Sequence, residues 1–142
     1  MALVAARPSG LRSADDLLMS ARRSLAEASI ATTAGERYAA AHLAALRAAA
    51  AVLAASSRPT KRSRVRSVWA VLPRVAPEFA EWSDFFAAGA GKRAGAEAGL
   101  SCVTHREADD LARESDAFVA RVAQHLGRPH QSSLTSVLLH VG

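Results

Sequence analysis

Residues 34–55, AGERYAAAHLAALRAAAAVLAA, constrain the fold of this chain more than any other segment. Alanine has the highest helix propensity of any residue, and a run this rich in it reads as helix. Its small side chain also lets a neighbouring backbone come close, so such a helix belongs at the centre of a bundle rather than on its surface. Thr33 and Glu36 form a capping box that opens this helix, which is expected to end near Ala55. Leu43, Leu46, Ala50 and Leu53 are expected to mark its buried side.

The rest of the chain follows the same grammar. Aromatic residues make up only 5% and β-branched residues are scattered rather than alternating, so no strand is expected. Ser13, followed by Asp15 and Asp16, predicts the start of a first helix, with Leu11, Ala14, Leu18, Ala21, Leu25 and Ala28 as a narrow apolar seam. Val65, Val68, Leu72, Val75, Phe79, Trp82 and Phe86 keep helical spacing across Pro73 and Pro77. They predict two short helices sharing one seam, with Trp69 and Trp82 as core anchors. The glycine-rich residues 87–99 read as a frayed end and a loop. Thr104 and Glu107 cap a last helix whose apolar side is Leu111, Phe118, Val119, Val122 and Leu126, with Gly127 as its stop. Helix breaks are therefore expected near residues 30–34, 56–61, 73–77 and 98–103.

The expected fold is all-α: an up-and-down helical bundle of four to five helices, one of them divided at Pro73 and Pro77. Residues 1–12 are read as an N-terminal extension, 13–127 as the helical domain and 128–142 as a C-terminal tail. The tail's apolar cluster, Val137, Leu138 and Leu139, is expected to dock on this bundle or on a protein partner. With 142 residues there is room for one domain. No run is expected to be apolar enough to span a membrane, and MALVAA lacks the features of an export signal, so the protein is expected in the cytoplasm. The lone Cys102 reads as a small structural residue. No cofactor is expected, and the histidines have no metal-ligand spacing.

Charge is distributed unevenly. The net charge is +5, and Arg58, Lys61, Arg62, Arg64 and Arg66 supply all of it within one short segment. With Ser56, Ser57 and Pro59 beside them, these residues read either as a solvated connector or as a phosphate-binding loop that attracts a polyanion by counterion release.

The strings LLMSARRSLAEA, GERYAAAHLAALRAAAAVLAASSRP, VWAVLPRVAPEFAEWSDFFAAGAGKRAGAEAG and DDLARESDAFVARVAQHLG resemble the small stand-alone HEPN-domain proteins of high-GC bacteria, over roughly residues 15–127. The resemblance implies a helical bundle, often a homodimer, acting as a metal-independent endoribonuclease or as a non-catalytic module that binds RNA, nucleotide or protein. Nuclease members carry an arginine, four to six intervening residues and a histidine, a spacing that Arg37 and His42 match. The implied chemistry is attack of the RNA 2′-hydroxyl, with His42 moving a proton and Arg37 stabilising phosphate charge. In the last helix, Arg121 and His125 are too close in sequence for the motif.

Helical geometry offers a second reading of the same pair. Positions five apart lie about 140° apart around a helix, so Arg37 faces outward while His42 turns to the core edge. There His42 packs with Tyr38 and Leu46, one turn away on either side. Arg47, on the flank, is placed to pair with an acid from a neighbour. Three functions remain open from sequence: an RNA- or nucleotide-binding HEPN protein, a dimerising protein-interaction module without catalysis, and a toxin-like ribonuclease.

Overall fold

A computed structural model describes residues 9–56 and 67–128. The basic residues Arg58, Lys61, Arg62, Arg64 and Arg66, together with Val65 and the Val137–Leu139 cluster, lie outside the described residues. Five α-helices follow one another: α1 (Ser9–Ile30), α2 (Ala34–Ala55), α3 (Val68–Val75), α4 (Ala80–Glu97) and α5 (His105–His125). A 3-10 turn, Pro77–Phe79, leads from α3 into α4. Among the described residues there is no strand.

The direction of each helix can be read from which ends meet. Gly10 of α1 lies against the backbone of Ala54 at the far end of α2, and Gly35 at the start of α2 touches Ala96 near the end of α4. Arg37 reaches Asp109, near the start of α5, and Arg128 just beyond α5 returns to Asp15 near the start of α1. The four long helices therefore run up, down, up and down, with α3 as the short fifth. Helix α2 stands at the centre, in contact with α1, α3, α4 and α5.

Local signals account for most boundaries. Thr33 accepts a hydrogen bond from the Glu36 amide at the start of α2, and Thr104 and Glu107 form a complete reciprocal capping box on α5. Pro73 lies in the last turn of α3, and Pro77 takes the first position of the 3-10 turn, where its missing amide proton costs nothing. Gly127, with φ of 71°, closes the end of α5. The seam of α1 is buried at Ala14, Leu18, Ala21 and Ala28.

Four expectations are corrected. Helix α1 begins at Ser9 rather than Ser13, because Gly10 has no Cβ to strike the Ala54 carbonyl and so the first turn can lie directly on the end of α2. The buried side of α2 is not the leucine side: Ala41, Ala44, Ala45, Ala48, Ala49, Ala51 and Val52 are buried, whereas Leu43, Leu46, Ala50 and Leu53 are only half-buried. Helix α4 does not fray into a loop at residue 87 but runs to Glu97, with Gly89 making room for Tyr38 and His42 and Gly95 for Cys102. Finally, α2 is long and apolar enough to cross a membrane by length and composition; here it is the core helix of the bundle, in contact with α1, α3, α4 and α5.

Large side chains fill the space that alanine leaves open. Phe79, Trp82 and Phe86 meet Trp69 and Phe118, with ring centroids of Trp69 and Phe86 5.1 Å apart and those of Phe86 and Phe118 5.2 Å apart. The core thus has two textures, alanine seams around α2 and an aromatic cluster between α3, α4 and α5. The first should be intolerant of enlargement and the second of truncation. Phe118→Ala should cost about 3–5 kcal/mol through the cavity it leaves, and Ala48→Leu about 1–3 kcal/mol through overpacking, both measured by denaturant unfolding. If Ala48→Leu were neutral, α2 would not be tightly enclosed.

Candidate functional site

Arg37 and His42 sit in the first turns of α2, and the structure gives them different partners. The Arg37 Nε donates to the carbonyl of Ala28 at 3.1 Å, one terminal nitrogen donates to the carbonyl of Ala31 at 3.0 Å, and the other donates to Asp109 Oδ1 at 2.7 Å. Carbonyls at the end of a helix have no partner within it, and a guanidinium fork is well shaped to satisfy two of them together. Arg37 therefore closes the end of α1 while tying it to α5. Its side chain is 27% exposed, so it is not the outward, solvated arginine that helical spacing alone suggests.

His42 is 1% exposed. Its Nε2–H donates to the Phe86 carbonyl in α4 at 2.8 Å, which fixes the tautomer and leaves Nδ1 buried without a protein partner. Tyr38 stacks beside the imidazole, and Trp69 and Phe86 present ring edges to it. Burial lowers the pKa of His42 below that of an ordinary histidine, against a smaller opposing effect of the Phe86 carbonyl. Tyr38 is buried as well, which raises its pKa.

Gly89 makes this arrangement fit. A Cβ at that position would stand 2.7 Å from Tyr38 Oη and 3.4 Å from the His42 ring. The absence of a side chain lets α4 come close enough for its carbonyl to meet the imidazole. Neither Asp109, 72 residues from Arg37, nor the Phe86 carbonyl belongs to any sequence motif, and sequence reasoning missed both. Gly89 was visible in the sequence, but there it read as a helix breaker.

The other singled-out residues are placed as follows. Arg47 donates to the buried Ser24 hydroxyl of α1 at 2.7 Å, rather than to an acid. Trp69 is buried and Trp82 half-buried, both within the aromatic cluster. Cys102 is exposed in the α4–α5 loop, with its thiol directed at the Lys92 carbonyl. Lys92 is bonded to Glu107. His125 faces Glu78 at 3.2 Å. Among the described residues, no group of His, Cys, Asp or Glu is placed to hold a metal ion.

Two surface clefts differ in charge. One, of about 520 Å³ between the start of α2 and the end of α4, has Glu36 and Glu97 on its rim. The other, of about 450 Å³, places Arg74 and His125 beside Ser56, the residue after which the basic segment follows in sequence.

Compared with protein-family models, the chain matches the SAV_6107-like HEPN family over residues 28–123. No curated protein and no solved structure matches it significantly.

The lowered pKa of His42 links stability to pH. The unfolded chain binds a proton on His42 at a higher pH than the folded chain does, so stability present above about pH 6.5 is lost as pH falls below it. His42→Gln should flatten this dependence in unfolding measured from pH 7.5 to 5; an unchanged slope would place its origin elsewhere. Gly89→Ala should destabilise the fold although alanine is the better helix former, and Tyr38→Phe should relieve part of that loss. A gain in stability from Gly89→Ala would contradict the close approach of α4 to α2.

Proposed function

Since the chain belongs to the SAV_6107-like HEPN family, we propose that it is a HEPN module that binds RNA without cleaving it. One observation carries the non-cleaving part: the imidazole of His42 is sealed inside the bundle with its N–H spent on a backbone carbonyl. A general base must come within hydrogen-bond reach of the proton it removes, and no 2′-hydroxyl can reach a side chain 1% exposed. Arg37, with all three of its donor nitrogens engaged inside its own chain, has no free fork to offer a phosphate.

The binding part rests on charge. Arg58, Lys61, Arg62, Arg64 and Arg66 carry the whole net charge of the chain. The cleft beside Ser56 adds Arg74 at the place from which that segment departs. Polyanion binding of this kind is independent of sequence and strongly sensitive to salt. The cleft at the start of α2, rimmed by Glu36 and Glu97, is unsuited to phosphate.

Incubation of the purified full chain with total cellular RNA tests both parts. The RNA should remain intact, and binding should weaken steeply as salt rises. Changing Arg58, Lys61 and Arg62 to glutamine should reduce the slope of log affinity against log salt by roughly 2–3. Cleavage abolished by His42→Ala would establish the ribonuclease reading, including its toxin-like form. Binding that is absent or indifferent to salt would favour a protein-interaction module instead.

A further inference from the structure

The basic segment can meet phosphates but not bases, because residues 57–66 contain no aromatic side chain on which a base could stack. A ring that meets bases has to come from elsewhere in the fold. Phe85, His105 and His125 are the exposed rings among the described residues. Phe85 sits in a stretch of α4, between Asp84 and Lys92, that carries no charge to hold a phosphate, and His105 opens α5 just ahead of Glu107, Asp109 and Asp110. Neither lines the two clefts described above, whereas His125 lines the one beside Ser56.

Two contacts hold the His125 ring in place. Glu78 Oε2 lies 3.2 Å from its Nδ1, and the ring of Phe79 packs against it with centroids 5.3 Å apart and planes at 73°. A ring already fixed loses little freedom when a ligand settles on it. Because the contact with Phe79 is close to perpendicular, at least one face of the imidazole is left uncovered by it. The side chain is 35% exposed, and Glu78, which holds it, does not line the cleft.

The cleft itself favours a base over a phosphate. Val52, Val75 and Pro77 give it apolar walls, and its volume of about 450 Å³ is that of a small-ligand site. Helices α2, α3 and α5 all end beside it, at Ala55, Val75 and His125. The C-terminal end of a helix carries partial negative charge, which keeps a phosphate off the floor but does not repel a neutral, flat base. Arg74 lines the same cleft, is exposed and has no partner among the described residues, so it meets the attached phosphate at the rim. Arg121, one turn before His125 on α5, is exposed on the same side of that helix. We propose that this cleft takes one unpaired nucleotide of an RNA strand, its base stacked on His125 and its phosphate on Arg74, with Glu78 positioning the ring. The proposal rests on the RNA-binding reading and deepens it: the cleft serves single strands, whose bases can be splayed out, and not a duplex.

Fluorescence anisotropy of the full chain with a labelled RNA oligonucleotide, single-stranded and annealed to its complement, at one pH and salt, tests this. His125→Ala should weaken single-strand binding about 5- to 10-fold, the low end for base–aromatic stacking because an imidazole is small, and leave duplex binding unchanged. His125→Phe should restore most of the loss, and Arg74→Gln should lower the salt slope for the single strand by about one. In the unsubstituted protein, the ring C–H signals of His125 should move upfield when the single strand is added, and stay in place with the duplex. Salt-dependent RNA binding in which His125→Ala changes nothing, or weakens both strand types equally, would overturn the proposal while the RNA-binding reading stands. So would a His125→Phe variant as weak as His125→Ala, or ring signals that do not move. An unsubstituted chain that binds neither RNA would overturn both.

Discussion

A helix touched by every other helix in a small bundle cannot carry bulk around most of its circumference, and α2 is such a helix. Its buried surface is alanine with a single valine, interrupted only by Tyr38 and His42. The other helices approach at the closeness that alanine permits, and the leucines lie along the flanks, where the seams open. On the α3–α4–α5 side, Trp69, Phe79, Phe86 and Phe118 fill the wider gap. His42 stands where the two textures meet, hydrogen-bonded to α4 and enclosed by rings of α3 and α4.

This position bears on chemistry. A neutral histidine donating to a carbonyl in a closed, largely apolar site satisfies one polar group of the core with another. The features that make imidazole useful to a nuclease, a near-neutral pKa and access to substrate, are the ones that burial removes. Arg37 follows the same logic, since a planar fork that could hold a phosphate instead holds the carbonyl of Ala28 in α1, that of Ala31 just beyond it and the carboxylate of Asp109. The spacing that matches a catalytic motif is also a spacing that serves two adjacent seams of one central helix.

Much of the fold was legible because it is written in local signals. Thr33, Thr104, Pro77 and Gly127 act within a few residues of their own positions, and the α1 seam shows a clean contrast between apolar and charged positions. The buried face of α2 was not legible, since a helix with alanine on nearly every side offers little contrast and the leucines take the eye. The second half of α4 was misread because the helix cost of glycine is a local quantity, whereas the benefit at Gly89 comes from α2. In the candidate site, the residue types and spacing of Arg37 and His42 could be read directly. Their environments could not: Asp109 is far away in the chain, and a backbone carbonyl such as that of Phe86 has no signature in sequence.

The state of the His42 ring in solution bears most directly on whether this helix carries structure or chemistry. Nitrogen-15 NMR of the imidazole at neutral pH should show the tautomer protonated at Nε2, with its proton exchanging slowly with solvent and the signal unmoved by added RNA. A ring protonated at Nδ1, a rapidly exchanging proton, or a shift on addition of RNA would mean that His42 is open to substrate, and the structural role assigned to it would be contradicted.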